Sequence, residues 1–451
     1  MWIERQGKKL KFINDLIGLD HQIIIVRGAR QVGKTSFILN VLSELADYPQ
    51  IKLNLLYPSS FKLGEIDYLG RDFFGQSETG ENFLKNIDAK LGSIKKLEKP
   101  LIVFIDEVDR HPVILESIQT LAQFSDQIKF IFTGSNLENI PVKNAATGRK
   151  KSFDLFPITF MEFIQAGEHK EMSDYLMSLS LKESPTEFYH KQLRDLLQIY
   201  IRIGGMPKIV DAYLNSEFRN HIPEIIKDLA FTIEENVKTV LGEKAKWYEY
   251  EDILRKMAYL SMNTLKYSQL QVAHVGRNEA KKLVAKTVGA RVAHKIRLIE
   301  SERDLSKYII FDCGIVNYLL NGSDLLATKI NERNMAILYE TFVGVELIAN
   351  LVTRDDLFYW KSENKAKVEY LLKSPLVGID VKSKRGDNKS LNSFAISEPD
   401  ASYVVKVCDG AIRIDTGYKA TLPTSKQSRT IPLLTIPHYL TCRLIELLKE
   451  G

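Results

Sequence analysis

Eight consecutive residues, Gly28-Ala29-Arg30-Gln31-Val32-Gly33-Lys34-Thr35, lie between an apolar run, His21–Arg27 (HQIIIVR), and a stretch that reads as a helix, Thr35–Glu44. This G-x-x-x-x-G-K-[ST] spacing constrains the fold more than any other feature of the chain. Backbone N–H groups can turn inward around phosphate oxygens only where no side chain blocks the approach. The loop also has to be delivered by a strand to a helix N-terminus, whose partial positive charge favours an anion. Gly28, Ala29, Arg30, Gln31, Val32, Gly33, Lys34, Thr35 and Ser36 then form a phosphate cradle. Lys34 faces the β- and γ-phosphates, and Thr35 offers its hydroxyl to Mg²⁺. The expected cofactors are ATP and Mg²⁺.

The second half of such a site needs acids at a strand end. Leu101–Ile105 is an apolar strand followed by Asp106 and Glu107. Asp106 would hold Mg²⁺, usually through water, because a hard cation takes oxygen ligands. Glu107 would polarise the attacking water as general base. A third apolar strand, Phe130–Phe132, runs into Thr133-Gly134-Ser135-Asn136. Ser135 or Asn136 is placed there to sense the γ-phosphate or position the water, although four such residues also make a plain turn. Arg149, after Gly148, would neutralise transition-state charge in its own subunit or across to a neighbour. With Lys150 and Lys151 it also reads as a solvated basic loop.

Around these motifs the first 165 residues alternate short apolar runs with helix-like stretches, which predicts a parallel α/β sheet with strands at His21–Arg27, Ile51–Leu56, Leu101–Ile105 and Phe130–Phe132. From about Met161 to Tyr250 the pattern is helical and charged, interrupted by the turn Gly204-Gly205-Met206-Pro207. Glu251–Leu320 reads as a small helical unit ending in a strand pair. A helix over Ala336–Leu351 then leads into strands at Asp356–Ser362, Val368–Leu372 and Val377–Val381, a second α/β region.

Composition excludes several classes. No apolar run approaches the roughly 20 residues of a membrane-spanning helix. The start of the chain lacks the layout of a signal peptide. Three scattered cysteines, Cys313, Cys408 and Cys442, make neither a disulfide framework nor a zinc site. The cytoplasm is the expected compartment, with no membrane partner. Net charge is +5, and the window Gln271–Glu300 alone carries that much, with seven Lys/Arg against Glu279 and Glu300.

Taken together these residues resemble the prokaryotic AAA/STAND-type ATPases that join a P-loop domain to a C-terminal domain of unknown function. The likeness rests on Gly28–Thr35, Ile105-Asp106-Glu107, Thr133-Gly134-Ser135, and Gly148-Arg149 leading into Phe156-Pro157-Ile158-Thr159-Phe160-Met161-Glu162-Phe163. Gly204-Gly205-Met206-Pro207 and Lys307–Ile315 also look like family segments, so the resemblance spans residues 15 to 385. It implies an α/β fold: an AAA-like P-loop domain (1–165), a helical lid (166–245), a winged-helix-like unit (246–325) and a restriction-endonuclease-like α/β domain (326–451).

Two further expectations follow from residues inside that frame. The basic window contains a plausible helix, Glu279–Gly289, whose Lys281, Lys282 and Lys286 would sit on phosphates of double-stranded DNA; a solvated helix has the same composition. Glu369, Asp380 and Lys382 reproduce the acid…(Asp/Glu)-x-Lys layout of restriction-type nucleases, since strand alternation puts Asp380 and Lys382 on one face. Glu340 or Glu346 on the preceding helix could add a metal contact. Glu369 departs from the family pattern, which more often has Asp. The expected function is a nucleotide-switched ATPase that turns over MgATP slowly, with a homo-oligomer as the state in which an arginine can act across subunits. The alternatives are an ATP-gated nuclease and a non-hydrolysing ATP-dependent DNA-binding module.

Overall fold

In the computed structural model the run ahead of the glycine loop is a strand, β1 (Ile23–Arg27), and the loop opens directly into the helix Lys34–Glu44. The structure describes residues 5–18, 22–75, 80–92, 94–111, 114, 127–134, 137, 150–167, 169–241, 247–272, 275–326, 329–351, 353–363, 366–383, 386–422 and 425–450. Two compact units separate: Glu4–Phe156 with Gly289–Arg291, and Pro157–Val288 with Val292–Gly451.

In the first unit β1 is followed by β2 (Gln50–Asn54), a hairpin of β3 (Phe61–Leu63) and β4 (Ile66–Tyr68), then β5 (Leu101–Asp106), β6 (Ile128–Thr133) and β7 (Lys150–Asp154). Five of these make a wholly parallel sheet in the order β2-β5-β6-β1-β7. Every residue of β5 and β6 is buried, which is why Leu101–Ile105 and Phe130–Phe132 read as apolar runs even though β6 also holds Lys129. The edge strand β7 buries only Phe153 fully, so its sequence KKSFD carries no such run. The strand begins at the charged Lys150 and ends at Asp154, with Leu155 and Phe156 just beyond it.

One sheet face packs Ile23, Ile25, Leu53, Val103, Ile105, Phe130 and Phe132 against Phe74 and Phe83. On helix Gln6–Ile17, helix Lys34–Glu44 and β7, the rings of Phe12, Phe37 and Phe153 meet one another at centroid distances of 4.9–5.6 Å. With β1 flanked by β6 and β7, the C-terminal ends of β1, β5 and β6 open on one edge, where parallel sheets bind ligands.

The second unit begins with helices, among them Phe160–Ala166, Lys170–Ser178, Glu187–Ile203, Pro207–Leu214, Ile222–Leu241 and Trp247–Leu260. After the basic helix Arg277–Gly289 come β8 (Ala293–Leu298) and β9 (Ser306–Ile310), an antiparallel hairpin. Helix Cys313–Asn321 and the long helix Glu332–Asn350 follow, the latter buried on all sides from Ile337 to Ile348. Then come β10 (Leu357–Lys361), β11 (Lys367–Lys373), β12 (Leu376–Val381), β13 (Tyr403–Val407), β14 (Arg413–Asp415), β15 (Lys419–Thr421), β16 (Ser428–Thr430) and β17 (Leu433–Ile436). β15 and β16 pair with each other, and the rest form one mixed sheet, β14-β17-β13-β12-β11-β10-β8-β9. Its order makes β10 the neighbour of β8, in parallel, through Phe358↔Arg297 and Tyr359↔Leu298.

Three of the segments that carry the resemblance lock together inside this unit. The Asp312 carboxylate caps helix Cys313–Asn321 by accepting from Ile315 N at 3.0 Å, and accepts from Gly205 N at 2.7 Å. Gly205 O in turn accepts from Ile158 N at 2.7 Å. A Cβ on Gly204, whose φ is +76°, would come within 2.2 Å of Asp312 Oδ1; one on Gly205 would come within 2.0 Å of Ile158 O. Glycine is required here by space as well as by φ. The three cysteines are buried free thiols. Among the described residues no helix is long and apolar enough to cross a membrane.

Candidate nucleotide site

The glycine loop is shaped from both sides. A Cβ on Gly28 would sit 2.3 Å from Leu155 O, just beyond β7, so the loop passes the chain there with no room for a side chain. Gly33 takes a left-handed φ of +87° and hands the chain to the helix. Gln31 also has positive φ, +63°. Lys34 Nζ spans the loop, donating to Gly28 O at 3.0 Å and Ala29 O at 2.9 Å. Burial pulls its pKa down to about 8, against the opposing pull of Glu107, Asp106 and Asp109. A phosphate would supply the anionic partner that this ammonium takes from backbone carbonyls here.

Asp106 ends β5 and gathers three donors. Thr35 Oγ1 donates to its Oδ2 at 2.8 Å, Glu107 N donates to its Oδ1 at 3.0 Å, and Thr133 Oγ1 donates to the same Oδ1. The hydroxyl and the carboxylate expected to hold Mg²⁺ thus already meet, and both are hard oxygen donors. Glu107 follows in a left-handed conformation, φ +56°.

The sequence places Thr133 in a motif but gives it no role of its own. It is the last residue of β6, fully buried, and its hydroxyl is what β6 contributes to Asp106. A hydroxyl residue closing an otherwise apolar strand beside the loop strand was the available signal. Ser135, Asn136, Gly148 and Arg149, the other expected participants, lie outside the described residues.

In the second unit, Lys382 Nζ lies 3.0 Å from Asp380 Oδ1, Lys367 Nζ lies 3.3 Å from Glu369 Oε1, and Val381 N donates to Glu369 Oε2 at 3.3 Å. Glu369, Asp380 and Lys382 are therefore neighbours, on β11 and at the end of β12. Burial raises the Asp380 carboxyl to about 8, helped by the adjoining Glu369. Burial also pushes Glu369 upward, but Lys367 and a hydrogen bond from Asp380 outweigh it and hold Glu369 low. The pair thus favours sharing one proton. The expected third acid does not join. Glu340 bonds Lys307, and Glu346 accepts from Phe160 N at 2.7 Å. Among the described residues no three His, Cys, Asp or Glu are grouped to hold a metal.

Helix Arg277–Gly289 buries Ala280, Leu283, Val284 and Thr287, which leaves Lys281 and Lys282 exposed and Lys286 half-buried.

A phosphate loop on a five-stranded parallel sheet, with its threonine bonded to a strand-end aspartate, defines a P-loop nucleotide-binding domain. The match to known families agrees: residues 20–164 match the AAA domain family. No curated protein matches the chain. Among solved structures it is similar to the Aeropyrum pernix ORC1 protein in complex with DNA, at 13% identity and TM-score 0.30, covering 72% of this chain and 94% of that one. It is also similar to Cdc6p from Pyrobaculum aerophilum, at 11% identity and TM-score 0.26, covering 76% and 97%. A third is Drosophila ORC bound to DNA, at 12% identity and TM-score 0.27, covering 71% and 87%.

Proposed function

We propose that the chain binds MgATP and hydrolyses it slowly, and that nucleotide state switches the arrangement of its C-terminal, DNA-contacting segments. The observation that carries the chemistry is the meeting of Thr35, Thr133 and Glu107 N on Asp106, with Lys34 across the same loop. In this reading the backbone from Gly28 to Ser36 cradles the phosphates, and Thr35 and Asp106 hold Mg²⁺. Glu107 takes the proton of the attacking water, and Thr133 fixes the Asp106 rotamer; Ser135 senses the γ-phosphate. Arg149 neutralises transition-state charge, from the same subunit or from a neighbour in a homo-oligomer. Residues 166–245 serve as a helical lid, 246–325 as a winged-helix-like unit that sets Lys281, Lys282 and Lys286 on double-stranded DNA, and 326–451 as a restriction-endonuclease-like domain.

The test is phosphate release from MgATP by wild type, Lys34→Ala and Glu107→Gln, with and without double-stranded DNA. Turnover lost in both variants supports the ATPase, and stimulation by DNA supports the contact. Wild type without turnover sinks the hydrolytic reading.

The second reading, an ATP-gated nuclease, is favoured by the convergence of Glu369, Asp380 and Lys382. It requires Mg²⁺-dependent cleavage that Asp380→Ala abolishes while ATP binding persists.

A further inference from the structure

Helices Glu187–Ile203 and Pro207–Leu214, the turn Ser216–His221 and the start of helix Ile222–Leu241 line an open cleft of about 470 Å³ in the second unit. That volume is within the range of small-molecule sites. Ile199, Ile203, Ile222 and Leu326 are its apolar lining. Two guanidinium groups, Arg202 and Arg219, also line it, and among the described residues no carboxylate does.

Each guanidinium is already fixed in place. Arg202 Nη1 donates to Gln198 O at 2.7 Å and to Gln198 Oε1 at 3.1 Å. Arg219 Nε donates to Tyr213 O, and its guanidinium lies 4.7 Å from the centroid of the Tyr213 ring. These contacts use one part of each fork. The Nε and Nη2 of Arg202 and both Nη atoms of Arg219 have no partner among the described residues. A guanidinium with a fixed plane and spare donors suits an oxyanion, which can take two parallel N–H bonds from it. Another cleft of the same unit, about 380 Å³, makes the contrast. Its Arg255 is held by Glu251 and Leu319 O, and its Lys256 by Gln271 O, so its cations are engaged.

We propose that the Arg202–Arg219 cleft binds a small organic anion, its carboxylate or phosphate on the two arginines and its apolar body against Ile203, Ile222 and Leu326. This site is separate from the phosphate loop and does not depend on nucleotide hydrolysis.

Phenyl phosphate is the probe, titrated calorimetrically into the full chain with excess MgADP present, and in parallel into Lys34→Ala, so that the loop cannot account for the signal. Saturable binding tighter than that of inorganic phosphate or phenol alone is expected. Arg202→Gln and Arg219→Gln should each weaken it about tenfold, the loss of one charge-assisted contact. Leu326→Trp, a change at a partly exposed position, should remove the advantage of phenyl phosphate over phosphate while leaving phosphate binding intact. Absence of saturable binding in the millimolar range overturns the proposal. So does binding that both arginine variants retain, or a Leu326→Trp chain that still prefers the phenyl ester.

Discussion

Thr35 Oγ1 and Asp106 Oδ2 are 2.8 Å apart across 71 positions of sequence, so the helix that follows the glycine loop is tied to the end of β5 before any nucleotide arrives. With Thr35 and Asp106 already together, a Mg²⁺ held there, through water on the Asp106 side, would ask for little rearrangement. Asp106→Asn keeps the size of the side chain and removes its charge. It should weaken apparent Mg²⁺ affinity by roughly 10–100-fold, the usual cost of losing an outer-shell partner. A Mg²⁺ titration of fluorescent ATP-analogue binding reads this directly, and an unchanged midpoint would remove Asp106 from the site.

The Lys34 ammonium, held down to about 8 by burial, sets a pH dependence. Below that value the lysine is charged and ready for phosphate. Above it, MgATP must bring a proton with it, so affinity should fall by up to about tenfold per pH unit between pH ~8 and the lysine's ordinary range. Calorimetry in two buffers of different ionisation enthalpy would show proton uptake there and none near pH ~7. The sign for stability is opposite. The unfolded chain keeps this proton to higher pH than the folded one, so Lys34 makes the unliganded protein more stable as pH rises through about 8.

Lys307, fully buried, bonds Glu340 and lies 4.1 Å from the centroid of the Tyr370 ring. Removing one partner leaves an unmatched charge in the interior. Glu340→Ala should cost about 3–5 kcal/mol in urea unfolding, and Lys307→Met/Glu340→Leu much less than the sum of the single changes. Additive losses would show that the two residues are energetically independent.

Gly205→Ala would drive a Cβ to 2.0 Å from Ile158 O, and neither backbone has a soft end to yield. A loss of roughly 2–4 kcal/mol is expected, seen as a lowered melting temperature. A variant as stable as wild type would mean that the turn relaxes freely.

The proposed duplex contact requires that Lys281→Ala/Lys282→Ala weaken binding to unrelated duplexes alike and flatten the salt dependence by a slope of about 1–2. A filter-binding series over salt concentration measures this, and an unaltered slope places the contact elsewhere.

What was legible in the sequence follows from how each segment is buried. β5 and β6 are buried on both faces and announce themselves as apolar runs ending in polar residues. Lys34 and Thr35 were legible because the loop spacing is tied to one chemistry, and Asp106 because it closes an apolar strand downstream of that loop. β7 was obscured because an edge strand needs only Phe153 inside. Thr133 was passed over because a buried threonine at a strand end looks like any β-former until its hydroxyl is seen on Asp106. Three-dimensional charge pairing was the least legible. Nothing local in the sequence says that Glu340 Oε1 takes its hydrogen bond from Lys307, 33 residues before it.

The parallel pairing of β10 with β8 also governs how the chain can be made. The β8–β9 hairpin leaves the ribosome well before β10 exists, and until then β8 offers a bare edge of N–H and C=O groups. Synthesis therefore passes through an interval in which this hairpin waits for its partner. A premature stop inside helix Glu332–Asn350 would leave a product whose defect is stickiness rather than simple incompleteness.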